Sequence, residues 1–188
     1  QKVVNLDPSN KSGDYWHIEI EGLSEGCCYC YRVFNPLVNG EENLVSSKAL
    51  LDPCARAISG WEIYQRKNSQ GKEPNLDSCL KGVVCKRDLF DFASHPRPNH
   101  PWNQSIIYEL HVGAFTHSSG SEIATENKSK FLGLVEKIPY LKELGITAIE
   151  LLPIFCFDPS DAPPGKENFW GYSPINWFTP HQSYVVGS

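Results

Sequence analysis

Residues 154–188 contain Phe155, Phe157, Phe169, Trp170, Tyr172, Trp177, Phe178 and Tyr184, an aromatic density far above the 12% of the whole chain. Asn168, Asn176 and His181 lie among them. A sugar ring has one face of C–H groups and an edge of hydroxyls, so a site for it combines flat aromatic platforms with polar donors and acceptors. Trp170-Gly171-Tyr172 has that make-up, with the three polar residues close in sequence. A long loop also needs a small core of its own, and Phe155, Phe157, Phe169 and Phe178 are read as that packing. For Tyr172, beside a glycine that permits close approach, sugar platform and packing residue both stand as readings.

Hydrolysis of a glycosidic bond uses two carboxyl groups flanking it, roughly 5 to 5.5 Å apart where configuration is retained. Beyond residue 103 the candidates are Glu109, Glu122, Glu126, Glu136, Glu143, Glu150, Asp158, Asp161 and Glu167. None is assigned a catalytic role. Glu136 and Glu143 adjoin Lys137 and Lys142 and read as a solvated helix face. Glu109 and Glu150 fall inside strand-like runs, where they are expected to satisfy neighbouring polar groups. Asp158 and Asp161 belong to Asp-Pro-Ser-Asp-Ala-Pro-Pro-Gly, a turn in which short acidic side chains bond their own backbone. His111, at the end of a strand-like run, is expected to face the functional end as a hydrogen-bonded packing residue. No Ser/His/Asp constellation, phosphate-cradling glycine loop or dinucleotide fingerprint is present. The seven cysteines form no Cys/His cluster at zinc-finger spacing, so no metal and no cofactor are expected, with free thiols in a reducing compartment.

The elements that must hold the aromatic segment are legible nearby. Residues 106–112 are β-branched or aromatic and almost uncharged, as a strand covered on both faces should be. Phe131, Leu134, Val135, Ile138 and Leu141 recur at three- and four-residue spacing, one apolar helix face. Pro139 predicts a kink there or two short helices, and Gly145 sits where a C-terminal cap belongs. Residues 146–152 form a second strand, stopped by Pro153. Strand, crossover helix and strand make a βαβ unit with parallel strands, and such sheets bind ligands beyond the carboxyl ends of their strands.

The earlier half has a different grammar. Residues 15–34 run in short segments rich in Ile, Tyr, Val and Trp, broken at Glu21-Gly22 and Glu25-Gly26, which predicts hairpin-linked strands with one face on a core. Cys28 and Cys30 are expected on one face, with Cys27, Tyr29 and Tyr31 on the other. Asn35-Pro36, Asn39-Gly40 and Asp52-Pro53 mark turns, residues 68–77 read as a mobile polar loop, and no helical period of more than two turns precedes residue 100. Pro96, Pro98 and Pro101 make a stiff connection and set the domain boundary.

A net charge of −5 provides no basic face for nucleic acid, and the apolar run around 146–152 is far short of the roughly 20 residues a membrane span needs. The chain has no Met, so it is expected to be cut from a longer protein.

Tyr108-Glu109-Leu110-His111-Val112-Gly113-Ala114-Phe115-Thr116, then Gly145-Ile146-Thr147-Ala148-Ile149-Glu150-Leu151-Leu152-Pro153, then Trp170-Gly171-Tyr172-Ser173-Pro174-Ile175-Asn176 resemble the opening of the catalytic barrel in isoamylase-type glycogen and starch debranching enzymes of the α-amylase superfamily. Tyr15-Trp16-His17-Ile18, Tyr29-Cys30-Tyr31-Arg32-Val33 and Leu51-Asp52-Pro53-Cys54-Ala55-Arg56 resemble the glycogen-binding-type module that precedes that barrel. The resemblance implies a multidomain β plus α/β chain: an antiparallel β-sandwich over residues 1–93, a proline-rich linker over 94–102, and the first two βα units of an incomplete (β/α)8 TIM barrel over 103–188. It implies a retaining hydrolase of α-1,6 branch points, with branched α-glucan as partner, Tyr172 as sugar platform and Trp170 supporting its loop. In that family the catalytic carboxylates come from later barrel strands, so these 188 residues are expected to be inactive alone. Gly113-Ala114 replaces the Arg-Gly common at the first strand's end in close debranching enzymes, and a His-Val-Gly-x-Phe-Thr pattern occurs in maltooligosyltrehalose trehalohydrolases. Trehalose release and non-catalytic glucan binding are therefore kept as alternatives, with bacterial cytoplasm as the compartment ahead of a plastid.

Overall fold

The computed structural model describes residues 2–33, 48–71, 73–86 and 90–187. Phe34 and the turns at Asn35-Pro36 and Asn39-Gly40 lie outside the described residues. In the first half β1 (Lys11–Ser12) and β2 (Tyr15–Trp16) form an antiparallel hairpin. A three-stranded antiparallel sheet follows from β3 (Cys28–Tyr29), β4 (Ile58–Ser59) and, after the short helix α1 (Arg66–Gln70), β5 (Lys81–Val83), in the order β3-β5-β4. Tyr29 faces Gly82 across β3 and β5, and a Cβ on Gly82 would meet its ring carbon at 2.8 Å, so the glycine is the space the tyrosine fills. The Tyr29 hydroxyl then reaches Asp52 at 2.6 Å.

Two expectations for this half are corrected. Tyr15 and Trp16 do not keep a face on a core; Tyr15 is 79% exposed, because a two-residue ladder has no layer packed against it. Residues 68–77 are not a free loop either. Helix α1 takes in Asn68, and the buried Asn75 side chain accepts from the Ala49 N–H at 2.8 Å and donates to the Ala49 carbonyl at 3.2 Å. An amide that mimics a strand partner pins the segment that polarity alone marked as loose. Cys27 and Cys30 stand at C-x-x-C spacing, yet all seven cysteines are free.

The second half is built on a parallel pair, β6 (Ile107–Leu110) and β7 (Ala148–Leu151), in register Ile107 to Ala148 through Leu110 to Leu151. Between them lie α2 (Val112–Phe115), α3 (Phe131–Glu136) and α4 (Ile138–Glu143). Pro139 divides the predicted helix into α3 and α4 at Lys137, since proline lacks the N–H that a continuous helix needs. Past α4, Gly145 at φ +88° donates its N–H to Lys142 and Ile146 donates to Leu141, both at 3.0 Å, a Schellman cap.

Val112 belongs to α2 rather than to the strand expected over 106–112, because His111 ends the strand and caps the helix. The strands are also not covered on both faces. Leu110 packs with Leu134, Leu141, Val112, Phe157 and Tyr184, whereas Ile107 is 51% exposed. Two strands with helices over one side leave the other side open. Glu109 and Glu150 sit opposite one another in register and exposed, with no hydrogen bond among the described residues to the polar groups they were expected to satisfy.

Residues 154–188 are less loop-like than their composition suggests. β8 (Phe155–Phe157) and β9 (Pro174–Pro180) form an irregular antiparallel hairpin whose long connection carries Trp170 and Tyr172. Residues 90–104 are exposed throughout. Among the described residues no helix is long and apolar enough to cross a membrane.

Candidate functional site

The connection from β8 to β9 is fixed at its root. Asp158, 2% exposed, accepts at Oδ1 from the Ser160 N–H at 2.8 Å and hydroxyl at 2.6 Å, the local turn that the sequence predicts. Its Oδ2 accepts from the Tyr64 hydroxyl at 3.1 Å and Arg66 Nη1 at 3.0 Å, while Arg66 Nη2 reaches Asp161 at 2.7 Å. Burial pushes the Asp158 carboxyl up, but the Ser160 donors and then Arg66 and Tyr64 outweigh it, holding the group below the ordinary carboxylate range. Burial and the Asp158 charge push the Tyr64 phenol up.

Asn168 organises the tip. Its N–H donates to the Pro159 carbonyl at 2.9 Å, its Oδ1 accepts from the Gly171 N–H at 3.1 Å, and its Nδ2 donates to the Tyr172 carbonyl at 2.8 Å. Gly171 has φ +76°, and a Cβ there would lie 2.9 Å from the Phe157 ring and 3.2 Å from the Pro153 carbonyl. Backbone pressed against the buried Phe157 turns both flanking side chains outward. Trp170 is 55% and Tyr172 58% exposed.

His111 joins this tip to the end of β6. Its Nδ1 accepts from the Ala114 N–H at 3.0 Å, which leaves the proton on Nε2 to donate to the Phe169 carbonyl at 2.9 Å. The imidazole stacks on Phe169, with centroids 4.5 Å apart and planes 9° apart, and meets the Trp170 ring edge-on at 6.1 Å. His111 is thus a packing residue at the carboxyl end of the strand. The Tyr172 ring itself has no ring contact or hydrogen bond among the described residues; only its backbone is tied.

The aromatic segment divides in two. Phe157 is core, as expected, and Phe155 packs on Trp177 at 5.3 Å. Phe178 is corrected from packing residue to exposed ring, and Phe169 stays half exposed despite its stack on His111. Asn176 and His181 are not available as surface donors. Asn176, 1% exposed, donates to the carbonyls of Asp52 and Pro53 at 3.0 and 3.1 Å and accepts from the N–H groups of Phe178 and Thr179. His181 is buried against Phe157. The contribution of Tyr64 and Arg66, more than 90 residues from Asp158, carried no signal in the sequence beyond an acidic turn in want of a cation. Among the described residues no group of three His, Cys, Asp or Glu side chains could hold a metal ion.

A parallel strand pair with loops beyond its carboxyl ends is the arrangement in which α/β barrels and sheets bind their ligands. Over 94% of its length the chain is 38% identical to isoamylase 3, chloroplastic, of Oryza sativa subsp. japonica, and it spans 23% of that protein. Among solved structures, pullulanase type I from Bacillus subtilis strain 168 in complex with maltose matches with TM-score 0.52 and 28% identity, over 73% of this chain and 18% of that one. A product complex of the multi-modular, glycogen-degrading pneumococcal virulence factor SpuA matches with TM-score 0.51 and 26% identity, over 72% and 15%. No family model matches the chain. Sequence and fold alike make the chain akin to isoamylase-type debranching enzymes, as its motifs imply, over less than a quarter of their length.

Proposed function

We propose that this chain is part of a retaining glycoside hydrolase that cleaves α-1,6 branch linkages in glycogen or starch, with Tyr172 as the platform for the sugar at the cleavage site and Trp170 as support for its loop. Residues 1–93 act as the β-sandwich, glucan-binding-type module, 94–102 as the linker, and 103–188 as the first βα units of the (β/α)8 barrel. The observation that carries the assignment is the pair of exposed rings on either side of Gly171, beyond the ends of β6 and β7, on a backbone held by Asn168 and Phe157. A flat ring free on its face is what the C–H side of a glucose unit needs. The relatives' names add weight: an isoamylase, a pullulanase in complex with maltose and a glycogen-degrading factor. The bond-cutting carboxylates are assigned to other parts of the enzyme, because the carboxylates at the root of the rim are engaged by Arg66, Tyr64 and Ser160. The chloroplastic rice relative favours a plastid over bacterial cytoplasm.

The test is a titration of the 188-residue chain with maltoheptaose, followed by tryptophan fluorescence, beside an assay on pullulan. Saturable binding that Tyr172→Ala weakens about tenfold, with no reducing ends released, supports the assignment. Wild-type-like binding by Tyr172→Ala sinks it, and release of linear chains sinks the placing of the carboxylates elsewhere.

A further inference from the structure

The hydrogen bonds at the root and the tip of the rim form one connected path. Arg66 spans Asp158 and Asp161, one N–H to each, at 3.0 and 2.7 Å. The Asp161 N–H closes the turn on the Asp158 carbonyl at 3.0 Å, and the next carbonyl, that of Pro159, takes the Asn168 N–H at 2.9 Å. Asn168 then holds Gly171 and Tyr172 with its side chain. We propose that Arg66 is a positioning residue for the glucan platform: by clamping Asp158 and Asp161 it fixes the loop on which Asn168 presents Tyr172, so that a segment preceding the proline-rich run sets affinity for sugar.

Three observations support the role. The Arg66 guanidinium gives one N–H from each of two nitrogens to two separate carboxylates in a fixed planar fork, whereas the three donors of a Lys ammonium all leave one nitrogen and lack that geometry. The hairpin is docked independently of Arg66, since Asn176 bonds Asp52 and Pro53 and the Thr179 hydroxyl donates to the Ala55 carbonyl at 2.7 Å. Loss of Arg66 therefore frees the loop and not the strands. Asp158 would also keep the Tyr64 hydroxyl and both Ser160 donors, so the buried carboxylate is not orphaned when the arginine is removed.

Because Arg66's role rests on the glucan reading, the experiment separates the two. Wild type, Arg66→Ala, Arg66→Lys and Asp161→Asn versions of the 188-residue chain are titrated with maltoheptaose, and amide hydrogen exchange is measured at Gly171 and across β6 and β7. Arg66→Ala is expected to weaken binding about tenfold and Asp161→Asn about threefold, with Arg66→Lys between wild type and Arg66→Ala. The Gly171 amide should exchange faster in Arg66→Ala while β6 and β7 keep their protection. A purely structural arginine would lower the melting temperature and leave the maltoheptaose Kd of the folded chain unchanged, and that result overturns the proposal alone. If Arg66→Ala fails to fold, Asp161→Asn decides by the same criterion, since its carboxylate lies at the surface end of the clamp. Absence of binding by the wild-type chain overturns the glucan reading and the proposal together.

Discussion

His181 lies flat on Phe157, with ring centroids 3.7 Å apart and planes 14° apart, and both residues are buried. The Nδ1 of the imidazole accepts from the Ser183 N–H, so the proton sits on Nε2, which meets no hydrogen-bond partner among the described residues. A histidine that packs like a phenylalanine is held neutral, and burial pushes its pKa down from 6.5 to about 4.

Stability should consequently fall as acid is added. The unfolded chain takes up a proton at His181 below pH 6.5, whereas the folded chain resists until about pH 4, so the contribution is complete above 6.5 and lost between those values. The loss amounts to at most about 3 kcal/mol. Urea midpoints at pH 7.5 and pH 4.5 should differ clearly in the wild type and much less in His181→Phe. Equal drops in both would contradict the assignment.

Gly171→Ala should damage the rim more than the fold. The left-handed φ and the crowding against Phe157 together cost about 1 to 3 kcal/mol, and the backbone relieves the strain by moving residues 170–172. Loss of maltoheptaose binding with β6 and β7 still protected from exchange is the expected result. Binding equal to wild type would show that the glycine is not needed to present the rings.

Asn176 joins the hairpin to residues 52 and 53 through two carbonyls while holding two N–H groups of its own strand. Asn176→Ala takes the partner from four backbone groups, one in a buried bond and three in part-buried ones, and should destabilise the chain by about 2 kcal/mol, read as a lowered denaturant midpoint. A surface asparagine would change it by a few tenths at most.

The thiols should separate by burial. Cys28 and Cys54 are exposed, while Cys79 and Cys156 are buried and burial pushes the Cys156 thiol up to about 12. Iodoacetamide at pH 8 should label Cys28 and Cys54 in the native chain and reach Cys156 only after denaturant is added. Early labelling of Cys156 would mean that the β8–β9 hairpin opens readily.

What could be read from the residues was what short stretches decide by themselves. Pro139 breaks the helix and Gly145 caps it because a missing N–H and a positive φ act within a few residues. The turn at Asp158 and Ser160 was equally visible, since a short carboxylate finds its own backbone wherever the chain goes. The hairpin of β8 and β9 was hidden, because aromatic density fits a loop core and a strand pair alike.

Residue types alone thus determined the crossover unit and the break within its helix. The folded chain decided which polar neighbours remain accessible: Asn176 and His181 turned inward, while Asn168 was taken up by backbone. It also decided that Arg66 grips the rim. A cap or a period depends on atoms a turn apart in the chain, whereas burial and a clamp across more than 90 residues depend on the path of everything between, which no local pattern encodes.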